Sequence, residues 1–559
     1  MASGSITGTR ITAVLGITIL VWILAGFILY PALTSLEVSL TDQGVFSLKW
    51  FREFFGSPSG MEVLENSVVL GLLTVVCCGI VGTGLAFFVN FFRFPFRGVV
   101  DKLLLLPMMM PGIIIVFAFV QLYGESGMVT KGIEMLLGLS SAPYEFSGLS
   151  GILFVHAYTQ YVYFYLTVSL AIKQLDWGVV ESARCLGASK TRVFFTVIVP
   201  LIAPALITSS AVTFMTGIGS FTAPSILGGG YKVLTTRILL AKANNYMGLA
   251  AVQVVILTLV SMLFFFLLRL YERRSINASA VRGVPMQPVC IANPFYRGAV
   301  LLLTGTTVFF ILLPFAAIIM LSFVDSGSWM VSIFPERFTL DNFAAVFSRR
   351  RVYEPFVNSI VMSLVASGLC LGVALPSSWL MEKTRLRFRW LLDIMVMLPL
   401  AMPGAAISIN LINAASRPSI LTFNTVLVGT YFLLPIGYFI RSLPVAAKTL
   451  QISIQDLNDC IIDASRSLGA TGSVTFRKVV IPILYPGLLA AFMLVFVRSI
   501  GEYAVSAFLY TVGNKPVSIA MVNAVFEYDI GLAMAYGTLL IALTVLLSLL
   551  IGRFRKPLC

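Results

Sequence analysis

Long apolar runs alternate with short polar islands along the whole chain. The runs fall at roughly 11–35, 66–91, 103–123, 148–172, 201–226, 246–269, 297–323, 358–381, 391–414, 420–440, 483–509 and 530–552. A helix needs about 20 mostly apolar residues to cross a bilayer, and each run meets or approaches that length. The pattern predicts an all-α integral membrane protein with about twelve transmembrane helices.

The polar islands repeat. One reads Glu181-Ser-Ala-Arg-Cys-Leu-Gly187 and closes at Pro200; another reads Asp463-Ala-Ser-Arg-Ser-Leu-Gly469 and closes at Pro482. The acid, the glycine and the proline are all offset by 282 positions. Earlier matches are offset by 292: Asn66-Ser67 with Asn358-Ser359, Asp101 with Asp393, and Pro107-x3-Pro111-Gly112 with Pro399-x3-Pro403-Gly404. The first half therefore carries about ten extra residues, which the Gly- and Ser-rich stretch 124–147 is expected to hold. The chain reads as two tandem six-helix repeats: a first permease-like half at 1–272, a polar cytoplasmic linker at 273–296, and a second half at 297–559. Six spans per repeat put both halves the same way up, related by a pseudo-twofold along the membrane normal.

In each island a helical pattern runs into the glycine, which permits a turn with φ > 0. A second amphipathic segment follows, and the proline suits the first turn of the next helix. The product is a bent helix pair held beneath the membrane. Alone, such a segment reads as an ordinary basic loop; two with identical spacing do not. The islands closely resemble the EAA loop, Glu-Ala-Ala-x3-Gly-x9-Ile-x-Leu-Pro, of binding-protein-dependent ABC importer permeases of the type I fold. The resemblance implies that Glu181, Ala183, Gly187 and Pro200, and Asp463, Ala464, Gly469 and Pro482, form two coupling helices that dock on an ATP-binding subunit. Asp463 departs from the usual Glu, which implies a weaker or different second contact. Fused two-by-six chains resemble the ferric-iron, thiamine and 2-aminoethylphosphonate permeases. Gly219-Ser-Phe-Thr-Ala-Pro-Ser-Ile-Leu-Gly-Gly-Gly is similar to polyamine permeases.

Composition agrees with the pattern. Hydrophobic residues make up 58% of the 559 and charged residues 11%, against about 25% charged in soluble domains; mean hydropathy is +0.96. The net charge of +14 could suggest nucleic acid. Sidedness explains it better: with the N-terminus inside, Lys and Arg concentrate in the cytoplasmic segments and Asp and Glu outside, the positive-inside pattern. No nucleic-acid partner is expected. The chain is read as a multi-pass protein of the inner (plasma) membrane with both termini cytoplasmic, and the apolar run after Arg10 as an uncleaved first span. None of the seven cysteines falls in an expected external loop, so no disulfide framework is predicted. One histidine excludes His-pair zinc motifs such as HExxH, and no metal site is expected. Asn277-Ala-Ser279 fits a glycosylation pattern by chance, being cytoplasmic.

Several residues carry candidate chemistry. Pro111 and Pro403 lie in apolar runs, where a proline either lines a pathway or kinks a helix against its neighbour. Arg498 and Glu502, four apart, would share one helical face and pair; charges at membrane depth mark pathways or structural ion pairs. Thr216 and Ser220 hold their places in the first half. His156 and its surrounding tyrosines read first as helix packing. Gly228-Gly-Gly230-Tyr-Lys232 lacks phosphate-loop spacing and reads as a turn between spans five and six. The chain has no ATP-binding motif, so it is not expected to be an enzyme or to bind a cofactor; ATP would sit on a partner.

The expected function is the transmembrane permease of an ATP-driven ABC importer. By resemblance its partners are a cytoplasmic ATP-binding homodimer and an external solute-binding protein, and its mechanism is alternating access. The solute would be small and polar or ionic: ferric iron or a 2-aminoethylphosphonate-like anion, with thiamine and polyamine as further options. A gradient-driven secondary transporter with two six-helix halves is the alternative, and Glu502 is the one feature in its favour.

Overall fold

The computed structural model describes residues 15–275, 293–325, 337–384, 387–419 and 424–554, with Pro288 and Pro335. Most of the linker, the Asn277 motif, Arg10, Cys290 and Cys559 lie outside them.

In chain order the principal helices are α1 (Leu15–Ser39), α2 (Pro58–Phe91), α3 (Arg97–Leu103), α4 (Gly112–Tyr123), α5 (Gly148–Gln174), α6 (Trp177–Cys185), α7 (Val199–Ile218), α8 (Leu234–Ala243), α9 (Met247–Ser275) and α10 (Pro294–Leu321). The second repeat continues with α11 (Arg350–Lys383), α12 (Arg389–Ala401), α13 (Gly404–Ala415), α14 (Leu433–Gln455), α15 (Asp459–Ser467), α16 (Ile481–Ile500), α17 (Ala504–Leu509), α18 (Val517–Phe526) and α19 (Ile530–Phe554). The described chain is almost wholly helical; its one sheet is a hairpin of Thr41–Asp42 with Val45–Phe46.

Among the described residues, nine helices are long and apolar enough to cross a membrane by themselves, or ten with α12 and α13 counted as one bent span. The 27-residue α5 and the 23-residue α14 have the length without the apolarity. Their polar residues are turned inward: His156 and Ser169 of α5, and Ser442 and Gln451 of α14, are buried. This also displaces one expected span. The run 420–440 is not a helix throughout: Asn424 and Gly429 adopt positive φ (57° and 85°), and the helix begins at Leu433. The extra residues of the first repeat include a helix, Met128–Leu137, rather than loop alone.

The chain forms two compact units. One gathers Met1–Glu53, Ala241–Val255 and Leu340–Cys559; the other gathers Phe54–Leu240 and Ile256–Thr339. Each unit holds most of one repeat's helices together with the first helix of the other repeat, and the first unit also takes the end of α8 and the start of α9. In the first unit α1 packs on α13, where the Asn413 side-chain amide donates to Ser35 Oγ at 3.0 Å. In the second, α10 packs on α4, and Tyr158 of α5 donates to the carbonyl of Ile311 at 2.7 Å.

The repeat residues Asn66-Ser67 and Asn358-Ser359 acquire one shared role. Asn66 donates to the carbonyl of Lys232 (3.0 Å), and Ser67 accepts from Leu234 N (2.8 Å). Asn358 donates to the carbonyl of Lys515 (3.2 Å), and Ser359 accepts from Val517 N (2.8 Å). In both repeats the second span thus pins the connection that follows the fifth, and the serines satisfy the buried N–H groups of Leu234 and Val517.

Candidate functional site: paired turns and a buried charge pair

Each acidic island builds the same turn. Asp176 caps α6 by accepting from Gly178 N (2.9 Å), and Asn458 caps α15 by accepting from Cys460 N (3.0 Å). At the other end Gly187 and Gly469 both adopt φ 85°. Gly187 N donates to Arg184 O and Ala188 N to Ala183 O, at 2.9 and 3.1 Å. Gly469 N donates to Arg466 O and Ala470 N to Ser465 O, at 2.9 and 3.2 Å. These paired bonds define a Schellman cap, which calls for the left-handed conformation that glycine adopts without a Cβ penalty.

A single buried residue anchors each short helix, Val180 in α6 and Ile462 in α15. The remaining faces are open. Glu181, Gly187, Asp463, Ala464 and Gly469 are exposed, and Ala183 is half-buried. At the turn itself Leu186 is 88% and Leu468 89% exposed. A fully presented leucine at matching positions of both turns was not singled out from sequence, where it reads as an ordinary apolar residue near a glycine. After each turn the chain passes through a π-helical segment, Phe194–Ile198 or Phe476–Val480, and into α7 or α16, whose first turn contains Pro200 or Pro482. Single-turn π-helices occur often at functional sites.

The buried polar candidates lie where the fifth span of each repeat ends. α16 stops at Ile500, so Glu502 lies beyond its helical face and the expected pairing with Arg498 is replaced. Glu502, 9% exposed, sits 3.1 Å from Nη1 of Arg441 on α14. Its Oε1 also accepts from Val505 N at 3.2 Å and so caps α17. Arg441, 24% exposed, fits there because position 404 is glycine: a Cβ at Gly404 would stand 1.8 Å from its Nη1. Pro403 is the N-cap of α13 at a 112° break from α12. Pro111 is likewise the N-cap of α4, after the short helix Leu106–Met109 that contains Pro107. Both prolines mark breaks rather than kinks within continuous helices.

In the first repeat Ser220 takes the place of Glu502 and His156 lies opposite. The imidazole, 2% exposed, is held by Thr74 Oγ1 at 2.8 Å and Ser220 Oγ at 2.9 Å. Thr216 donates to Gln160 Oε1 at 2.7 Å. The break carbonyls match too: Ser220 O accepts from Thr235 Oγ1 (2.7 Å), and Glu502 O from Ser518 Oγ (3.0 Å). Arg441 and Gly404 were missed because a partner for Glu502 was sought on its own helix. An arginine within Ile440-Arg441-Ser442-Leu443 was the available signal. Among the described residues no cluster of His, Cys, Asp and Glu could hold a metal.

A multi-pass bundle with two identically built, exposed turns has the form of a transporter's membrane subunit. The model of the family described as binding-protein-dependent transport system inner membrane component matches residues 78–277 and again 368–556, and the chain belongs to that family. It is therefore a permease of the ABC importer class, an inner-membrane protein with both permease domains fused in one chain. It is 31% identical to a probable ABC transporter permease protein, y4fN, of Sinorhizobium fredii, over 96% of each chain. It is 25% identical to the ferric transport system permease protein FbpB of Actinobacillus pleuropneumoniae, over 98% of this chain and 79% of that protein. A spermidine/putrescine transport system permease protein, PotB of Haemophilus influenzae, is 27% identical over 47% of this chain and 93% of its own length. Family membership favours the importer over a gradient-driven transporter.

Proposed function

We propose that this chain, with its two permease domains, is the membrane-spanning subunit of an importer for a small ionic solute, with ferric iron as the leading candidate. The observation that carries the coupling is the doubled Schellman turn with its exposed leucine. Two such turns suit a homodimer of ATP-binding subunits, one turn per subunit, with both chain termini on that cytoplasmic side. The permease binds no cofactor and performs no chemistry; ATP is hydrolysed on the partner. An external solute-binding protein delivers the solute.

In this reading Glu181 and Asp463 meet basic groups on the ATP-binding subunits, and Leu186 and Leu468 fill apolar pockets there. Closure of the ATP-bound dimer pulls the two turns, and the π-helical segments pass the displacement to α7 and α16. Arg441 joins Arg498, Glu502, Thr216 and Ser220 as a pathway group, because a charged pair at a helix break is where a polar solute finds partners at membrane depth. Ferric iron is favoured because FbpB, matched along nearly the whole chain, carries that name. A 2-aminoethylphosphonate-like anion, thiamine and polyamine are the other outcomes. The test is uptake into vesicles holding the permease, the ATP-binding subunit and the binding protein encoded beside it. ATP-dependent accumulation of ferric iron supports the reading; uptake that needs only an ion gradient rejects it.

A further inference from the structure

The unit formed by residues 54–240 and 256–339 contains an open groove of about 1050 Å³ between α2, α5 and α10. Its walls include Ile80, Gly84 and Phe88 of α2, Phe154 of α5, and Leu303 and Phe310 of α10. Of the four polar side chains that line it, three are already committed elsewhere and the Thr306 hydroxyl is the exception. Tyr158 donates to Ile311 O and Tyr161 to Leu104 O, while Thr307 bonds Leu303 O of its own helix. A hydrophilic solute would find the Thr306 hydroxyl and little else, and most of its desolvation would be uncompensated. α2 and α10 are long and apolar enough to cross a membrane and α5 is long enough, so an apolar opening among them suits hydrocarbon.

One end of the groove is distinctive. Phe91, Phe92 and Phe194 close it, and Phe194 begins the π-helical segment that follows the first acidic turn. Arg93 follows Phe92, Arg192 precedes Phe194 by two residues, and Arg297 lies in the first turn of α10, which packs on α3 beginning at Arg97. None of these four arginines is in an ion pair among the described residues. The acids at that end are Asp101, which accepts from Tyr165, the exposed Glu181, and Asp176, which caps α6 beside Trp177, a ring neighbour of Phe91. An apolar slot with a basic rim at the membrane surface matches an anionic lipid: the chain in the slot, the phosphate on the arginines.

We propose that this groove binds an anionic phospholipid, whose acyl chain packs against Gly84 and Phe310 and whose head group is held by Arg93, Arg97, Arg192 and Arg297. The lipid then supports the segment that joins the first coupling turn to α7. The site is independent of which solute is carried.

The test uses the purified full chain and two probes, phosphatidylglycerol and phosphatidylcholine of the same acyl length, with retained lipid counted by native mass spectrometry. The wild type should keep phosphatidylglycerol in preference by a factor on the order of ten, given the contribution of each basic residue near a lipid surface. A Cβ at Gly84 meets nothing within 4 Å, so Gly84→Phe fills the groove without a backbone clash and should lose both lipids. Arg93→Gln with Arg192→Gln should keep lipid but lose the preference. A lipid with a photoreactive acyl chain, used on the wild type alone, should label α2 and α10. Equal retention of both lipids by the wild type, full retention by Gly84→Phe, or labelling confined to other helices would each overturn the proposal.

Discussion

The carboxylate of Glu502 lies 3.1 Å from the guanidinium of Arg441, although Arg498 precedes it by only four residues. The cause is local: α16 ends at Ile500, the chain turns at Gly501, and Glu502 starts a new short helix by capping it. Removing one member of a buried pair generally costs about 3–5 kcal/mol; Arg441 retains some exposure, which places this pair at the low end. Arg441→Met or Glu502→Gln should therefore lower the melting temperature, and the double variant should regain it. Transport should stay lost in the double variant if the pair lines the pathway. Recovery of both stability and uptake would leave the pair a structural role only.

Gly404→Ala tests the same geometry from another side. The added methyl would collide with Arg441 Nη1, so the guanidinium must leave Glu502. Melting of Gly404→Ala should fall to about the level of Arg441→Met, and adding Gly404→Ala to Arg441→Met should cost little more. Full additivity would mean the glycine serves some other contact.

The two Schellman turns give a backbone prediction. At φ 85° a residue with a Cβ is strained by about 1–2 kcal/mol, and nothing lies within 4 Å of a Cβ built at Gly187 or Gly469. Gly187→Leu or Gly469→Leu should leave the protein in the membrane while blocking copurification of the ATP-binding subunit and stopping transport. Asn tolerates the left-handed region, so Gly187→Asn should keep more activity than Gly187→Leu. Normal transport by both leucine variants would refute docking at these turns.

The two acids should be unequal. Asp463 has the shorter side chain, and Arg466 stands 4.0 Å away on the same exposed helix, a contact of little energetic weight. Glu181 reaches further. Glu181→Ala should therefore reduce coupled ATPase and uptake more than Asp463→Ala, and equal losses would remove the asymmetry.

Asn66→Ala and Asn358→Ala should each cost on the order of 1 kcal/mol, the usual net worth of one such hydrogen bond. Each leaves a loop carbonyl, that of Lys232 or Lys515, without its amide donor. The Asn66 bond is exposed and the Asn358 bond half-buried, so Asn358→Ala should lower the melting temperature more; an equal or larger shift for Asn66→Ala would show that solvent does not replace its donor.

The repeat, the helical class and the two glycine turns were legible in the sequence because each rests on local rules. Apolar runs of membrane length become helices whatever their neighbours, and a glycine six residues after the acid at both islands fixes the turn through its own backbone freedom. What the chain does at its breaks was not legible. The run 420–440 is apolar enough to read as a span, yet Asn424 and Gly429 turn it, and the neighbouring helix α14 hides its polar residues by burying them against its unit. The partner of Glu502 belongs to a helix far along the chain, reached only because Gly404 leaves room for a guanidinium. Nor could hydropathy show that the first helix of each repeat packs within the other repeat's unit, since an apolar face specifies that it must be covered and not by what. Periodicity and backbone chemistry act over a few residues, so the chain alone decides them; the pairing of charges and the choice of packing partner are settled only when distant helices meet.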